Sequence, residues 1–379
     1  MSALDGQAQP GGRSRPGDCT QAGKQLRPDG QTRPGGQAPR EGVAPPRKPS
    51  WLKVRPPVPG PYRATGALLE DLDLHTVCEE ARCPNKGECF SDGTATFLIL
   101  GDLCTRDCRF CSVQSSAADG AAGPGPLDAD EPRRVADAAA RLGLRHVVVT
   151  SVTRDDLGDG GAAHFAATVE ALRAELPSAT VELLVPDLLG DAGALGVVLA
   201  ARPDVVAHNL ETVARLYPLV RPRADYVRSL RQLERAAGWA RGRGGHLTVA
   251  RGAEAPARRR EAEPAVARGR RPLVKTGLML GLGETRAEVE GVLGDCAATG
   301  VDVVTIGQYL RPARDRLPVA RYVAPREFDA VAQRGRELGL EVIAAPFVRS
   351  SYRAGEVFAA VEHAGDGRRA GGQGRAPQP

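Results

Sequence analysis

The chain has 379 residues, enough for one large domain of barrel type or two smaller ones. Its formal net charge of +5 would fit a nucleic-acid binder, but residues 231–272 alone hold eleven arginines against four glutamates, so the surplus belongs to one segment and no nucleic-acid partner is expected. No apolar run is long enough for a secretory signal or a membrane span, so no membrane partner is expected; the location is cytoplasmic, with a mitochondrial or plastid matrix as the alternative.

Residues 1–46, which include Cys19, have almost no large apolar side chain and are expected to form a disordered leader. Residues 47–93 form an N-terminal extension. From residue 94 onward, apolar runs alternate with amphipathic stretches. The strand candidates are 95–100, 145–151, 180–187, 204–211, 273–280, 301–310 and 340–348, and most are continuously apolar, as in parallel strands covered on both faces. The helix candidates include 131–144, 162–177 and 326–340. This alternation predicts an α/β fold, either a parallel barrel or partial barrel or an open doubly wound sheet. Residues 114–130 read as a loop of small residues, 236–272 as a disordered Arg-rich insertion within the 94–362 unit, and 363–379 as a disordered tail.

Six of the eight cysteines lie between Cys78 and Cys111, in two triplets: Cys78, Cys83 and Cys89, then Cys104, Cys108 and Cys111. Without a secretory signal, such clustering points to metal or redox chemistry rather than to disulfides. Three is short of the four ligands of a structural zinc site and of the four irons of a cubane cluster. The second triplet follows the first strand candidate, at the strand end where βα barrels place their chemistry. A tight loop there can direct three thiolates at three irons and leave the fourth open; the competing reading is a zinc knuckle.

The segment CTRDCRFC (104–111) matches the CxxxCxxC signature of the radical S-adenosylmethionine superfamily. The segment CEEARCPNKGEC (78–89) is similar to the auxiliary-cluster motif of the lipoyl synthases, and further matches run from RKPSWLK (47–53) to FVRSSY (347–352). The chain therefore resembles the lipoyl synthase family over about residues 47–362, apart from the insertion.

This resemblance implies a partial parallel (β/α)6 barrel of radical S-adenosylmethionine type with N- and C-terminal extensions. It implies two [4Fe–4S] clusters and S-adenosylmethionine as cosubstrate. Cys104, Cys108 and Cys111 would hold the cluster that binds the cosubstrate. Cys78, Cys83 and Cys89, completed by Ser351 of the RSSY motif, would hold the auxiliary cluster that donates sulfur. The implied reaction inserts two sulfur atoms, at carbons 6 and 8, into an octanoyl chain. That chain is carried by a lysine of lipoyl carrier proteins such as those of 2-oxoacid dehydrogenase complexes or the glycine-cleavage H protein. The implied electron donor is of flavodoxin or ferredoxin type.

The remaining candidates are read from position. Asn209 and Glu211 end the fourth strand candidate, placed to hold the methionyl or ribose groups of the cosubstrate or to cap a helix. Arg154, Asp155 and Asp156 follow the second, placed to contact cosubstrate or carrier or simply to form a solvated turn. GLMLGLGET (277–285) reads as a glycine-lined approach to the adenine or as a plain tight turn. His75, His164 and His208 carry no ligand spacing and are expected to be structural, and Cys296 to be a buried apolar residue.

Overall fold

The computed structural model describes residues 47–116, 123–242 and 271–361; the expected leader with Cys19, most of the expected insertion and the expected tail lie outside these residues. Three short helices come first: α1 (Pro59–Asp71), then α2 (Val77–Glu80) and α3 (Lys86–Ser91), with strand β1 (His75–Thr76) before α2. β2 (Thr96–Ile99) is followed by a small parallel pair, β3 (Leu103–Cys104) and β4 (Gln114–Ser115). Strands and helices then alternate: α4 (Glu131–Arg141), β5 (His146–Ser151), α5 (Ala162–Glu175), β6 (Thr180–Leu184), α6 (Ala192–Ala200) and β7 (Val205–Ala207). After β7 come α7 (Tyr217–Val220) and α8 (Tyr226–Ala240), then β8 (Leu273–Leu280), α9 (Arg286–Thr299), β9 (Val303–Gln308), α10 (Pro325–Glu337) and β10 (Glu341–Ala344).

All seven strand candidates form strands of one sheet, in the order β1-β2-β5-β6-β7-β8-β9-β10. Every pair from β2 to β10 is parallel, and only the edge strand β1 is antiparallel. The sheet does not close on itself among the described residues. The partial parallel barrel class stands, with β10 adding a seventh parallel strand to the six expected. The continuous apolar runs are explained by burial on both faces: β2 and β9 are buried at every position. Several strands stop short of their apolar runs. In 180–187 and 340–348 a proline follows shortly after the last paired residue, Pro186 after Leu184 and Pro346 after Ala344, and proline cannot donate to a ladder.

The helices pack in sequence around the sheet, α4 on α5, α5 on α6, α8 on α9 and α9 on α10. α9 starts with a capping box between Thr285 and Glu288 and ends at Gly300, whose φ of 83° suits glycine. One expected boundary moves. α8 continues through Ala240, so the insertion does not begin at 236: Leu233, Ala236, Ala237 and Ala240 are buried at i, i+3, i+4, i+7 spacing and extend the helix's apolar stripe. The small alanines in a glycine- and arginine-rich context conceal that period in the sequence.

Candidate active site

A cavity of about 1410 Å³ opens at the C-terminal ends of the parallel strands, and all six clustered cysteines line it, together with Asn209, Glu211 and Ser351. The two cysteine triplets reach it by different routes. Cys104 ends β3, and the backbone N–H groups of Arg106 and Thr153 point at its sulfur from 3.4 and 3.3 Å. Cys108 and Cys111 share a turn closed by the Cys111 N–H on the Cys108 carbonyl at 2.9 Å. Behind this loop Arg106, only 4% exposed, forms two hydrogen bonds to Asp155 (2.7 and 2.8 Å) and one to Asp187 (2.6 Å). Arg228 completes Asp187 at 2.8 Å. Burial opposes ionisation of Asp187, yet Arg106 overcomes it and holds the carboxyl at about 2.

The first triplet sits on the N-terminal extension. Thr76 caps α2, which turns Cys78 inward, and the Cys83 N–H returns to the Cys78 carbonyl at 3.1 Å. Cys89 lies on α3. Burial pushes the thiol of Cys78 up to about 12 and that of Cys89 up to about 11, with Cys83 adding repulsion to both. In the second triplet burial likewise pushes Cys111 up to about 12 and raises Cys108. The members of each triplet are near enough to repel one another as thiolates, which is a donor set that metal binding would deprotonate and relieve. Among the described residues no three His, Cys, Asp or Glu side chains come together as a site for a single metal ion.

The RSSY segment (349–352) lines the same cavity as the two triplets. Asn209 exchanges hydrogen bonds with Ser350, at 2.6 Å from its Nδ2 and 2.9 Å to its Oδ1, and also donates to Glu211 at 3.0 Å. Ser350 is thereby committed, whereas the Ser351 hydroxyl has no hydrogen-bond partner among the described residues and faces the cavity. Glu211 adopts φ 65°, and its peptide bridges to β8 through Gly277 O and Met279 N, both at 2.9 Å. Desolvation raises its pKa, with Arg221 opposing. Arg221 is buried and donates to the carbonyls of Asn209 (2.9 Å) and Leu210 (3.3 Å), which fixes the turn carrying both candidates. Arg349 lies between Cys83 and Glu211; burial lowers its pKa and both neighbours oppose that.

The other candidates separate. Asp155 serves Arg106, while Arg154 pairs with Asp156 at 2.8 Å and donates to the carbonyls of Leu100 and Gly125. None of these three lines the cavity, so they build the loop rather than contact a ligand there. The glycine-rich 277–285 stretch divides in two. Gly277 lines the cavity, but Gly281 and Leu282 donate to the Glu284 carboxylate at 2.6 and 2.9 Å in a plain tight turn. His164 is 2.6 Å from Glu131 in a buried pair, His75 is 3.7 Å from Glu80, and Cys296 is fully buried in α9. His208 also lines the cavity. Its Nδ1 donates to the Val185 carbonyl at 2.8 Å, leaving Nε2 a buried acceptor with no partner among the described residues, and burial lowers it to about 4. That orphan acceptor in a thiol-lined cavity fits a polar cosubstrate beside a cluster.

Sequence reasoning gave no role to Arg106, Arg221, Glu88 or Gly307, and it set Gly277 against the adenine rather than against Asn209 and Ser350. Two of these had a visible signal. Gly277 and Gly307 interrupt apolar strands, which marks close approach of another backbone; a Cβ on Gly277 would meet Asn209 Oδ1 at 2.7 Å and Ser350 Oγ at 2.8 Å, and one on Gly307 would collide with the Val348 carbonyl.

The model of the radical S-adenosylmethionine superfamily matches residues 98–252, which hold the second triplet, Asn209 and Glu211. The model of the N-terminal domain of lipoyl synthase matches residues 25–83, which hold Cys78 and Cys83 and begin inside the expected leader. The lipoyl synthase of Nitratidesulfovibrio vulgaris (Hildenborough) is 51% identical over 83% of this chain and 94% of its own length. The chain belongs to the lipoyl synthase family. The lipoyl synthases of Caldanaerobacter subterraneus subsp. tengcongensis (48% identical, 81% of this chain, 96% of its own) and Thermus thermophilus (48%, 82% and 86%) agree. As a member of the lipoyl synthases, the chain is a sulfurtransferase that inserts two sulfur atoms, at carbons 6 and 8, into a protein-bound octanoyl chain. The superfamily's chemistry requires S-adenosylmethionine and a [4Fe–4S] cluster. No helix among the described residues is long and apolar enough to cross a membrane.

Proposed function

We propose that Cys104, Cys108 and Cys111 hold the [4Fe–4S] cluster that binds S-adenosylmethionine, with Asn209 and Glu211 against the cosubstrate, and that Cys78, Cys83, Cys89 and Ser351 hold a second [4Fe–4S] cluster that is the sulfur source. The observation that carries this reading is the shared cavity: both triplets and the uncommitted Ser351 hydroxyl face one space. Together the bound groups supply a 5′-deoxyadenosyl radical that takes hydrogen from unactivated carbon, and the sulfur that replaces it.

The chain's own residues bind, aim and exclude water. Leu98, Val148, Leu184 and Met279 give the cavity an aliphatic wall suited to an octanoyl chain. Arg221 and the Asn209–Ser350 bond keep the cosubstrate side and the RSSY segment in one register. A serine fits the fourth position because, unlike cysteine, it leaves iron readily when the cluster is dismantled. The octanoyl chain arrives on lipoyl carrier proteins, such as those of 2-oxoacid dehydrogenase complexes or the glycine-cleavage H protein, and electrons come from a flavodoxin- or ferredoxin-type donor. Bacterial relatives support a cytoplasmic location.

Anaerobic loading with iron and sulfide, followed by an octanoylated carrier, S-adenosylmethionine and reductant, should give a two-sulfur mass gain on the carrier and about eight irons per chain. Stoichiometric zinc and no absorption near 400 nm would refute it. Ser351→Cys should keep both clusters and lose sulfur transfer; unchanged turnover would remove Ser351 from the ligand set.

A further inference from the structure

We infer that Glu88 is a positioning residue that seats Ser351 over the first cysteine triplet, an inference that rests on the proposed role of Ser351. Glu88 lies on α3, next to Cys89. One of its carboxylate oxygens accepts both the Tyr352 hydroxyl and the Arg353 guanidinium, each at 2.9 Å. These two donors directly follow Ser351. On the other side of the segment, the Asn85 amide donates to the Phe347 carbonyl at 2.8 Å. Residues 347–353 are thus pinned at both ends to residues 85–88, which lie between Cys83 and Cys89, across some 260 positions of sequence.

The inner side of the segment is fixed independently. Val348 lies on Gly307, and Ser350 is held by Asn209. Ser351, between the two sets of contacts, has a hydroxyl with no hydrogen-bond partner among the described residues and is left to turn toward the triplet. The backbone supports the same assignment: Arg353 is held at φ 50°, a left-handed conformation that an L side chain resists unless something restrains it. Arg353 is half exposed, so its ion pair with Glu88 contributes little to global stability. What the shared carboxylate supplies is register. Groups behind metal ligands commonly act in this way, and their loss shows in metal retention rather than in folding.

The test uses the full chain loaded anaerobically with iron and sulfide and then challenged with an iron chelator. In Glu88→Ala, about half of the iron should leave about ten-fold faster than from the unmodified chain, while the other half leaves at its original rate. Glu88→Gln keeps an acceptor oxygen and should restore most of the retention. Tyr352→Phe combined with Arg353→Ala should reproduce the Glu88→Ala behaviour without touching α3, which covers the case in which Glu88→Ala folds poorly. In the metal-free chain, amide hydrogen exchange at 348–352 should rise in Glu88→Ala while the melting midpoint holds. Equal acceleration of both halves of the iron would mean general loosening and would overturn the inference, as would unchanged release. If Ser351→Ala accelerates one half and Glu88→Ala does not, the Ser351 assignment stands and the Glu88 role falls. If neither does, the Ser351 assignment fails and takes this inference with it.

Discussion

The two cysteine triplets face one cavity but are built on opposite principles. The second is local: Cys104, Cys108 and Cys111 lie within eight residues, shaped by their own turn and backed by the Arg106–Asp187 network. The first is assembled at long range. Cys78 and Cys89 stand on short helices outside the parallel sheet and Cys83 on the turn between them, and the segment opposite them arrives from beyond β10 through Asn85, Glu88 and the glycines of β8 and β9. A local loop keeps its ligands together whatever the rest of the chain does. A long-range closure can open at one side and release what it holds, which suits a cluster that is consumed as a sulfur source.

The largest expected effects separate the two triplets by function. Cys108→Ala should abolish both 5′-deoxyadenosine formation and sulfur insertion, with the loss of about four irons per chain. Cys83→Ala should lose about the same iron and all sulfur insertion, yet still form 5′-deoxyadenosine from S-adenosylmethionine. Measuring iron, 5′-deoxyadenosine and carrier mass on both variants decides the matter. If Cys83→Ala also stopped 5′-deoxyadenosine formation, the two sites would not be separable.

The same contrast explains what the sequence made legible. The parallel sheet could be read because doubly buried strands are continuously apolar, and β8 occupies its whole expected run from 273 to 280. The second triplet could be read because its spacing lies within one loop. The proposed completion of the first triplet by Ser351 came from the resemblance alone, since no local pattern links residue 351 to residue 83. The folded chain adds that Asn209 takes Ser350, the other serine of the pair. The Arg106 contact was hidden for the same reason: its partner Asp187 comes near only once strands β2, β5 and β6 are side by side. The Arg221 contacts span only 12 and 11 positions and were hidden because no local pattern marks the turn after β7. The two readings of residues 154–156 stayed open in the sequence because a charged turn looks the same whether it faces a ligand or its own loop.

A change at a strand glycine should break only the long-range site. In Gly307→Ala the new methyl meets the backbone of Val348, which cannot rotate away, so the segment from 348 to 351 must shift. A displacement of about 1 Å at a reacting group typically costs about a hundred-fold in rate, and a forced contact in a packed site about 1 to 3 kcal/mol. Turnover should fall by that order, iron should be lost from the first triplet's cluster, and 5′-deoxyadenosine should still form. Gly277→Ala should do less, because its methyl meets the side-chain oxygens of Asn209 and Ser350, which can turn. Equal losses from both clusters in Gly307→Ala would show that the two sites are not mechanically independent.

The smallest effect should come from the Arg-rich segment in which the chain's surplus of positive charge lies. Its two flanks are anchored at one corner of the fold: Arg241 donates to the Gly300 carbonyl at 2.7 Å, and Arg271 pairs with Asp302 at 2.6 and 2.9 Å. That corner joins α9 to β9, and neither triplet touches it. Replacing residues 243–270 by a short Gly/Ser link keeps both anchors. It changes loop-closure entropy by only about 1 kcal/mol, since that cost grows with the logarithm of loop length. Turnover and iron content should therefore stay within about two-fold of the unmodified chain, because both anchors, at Gly300 and Asp302, lie on residues that carry no cysteine of either triplet. A selective loss of affinity for the octanoylated carrier, with 5′-deoxyadenosine formation intact, would instead assign those arginines to carrier docking and add a third long-range element to the site.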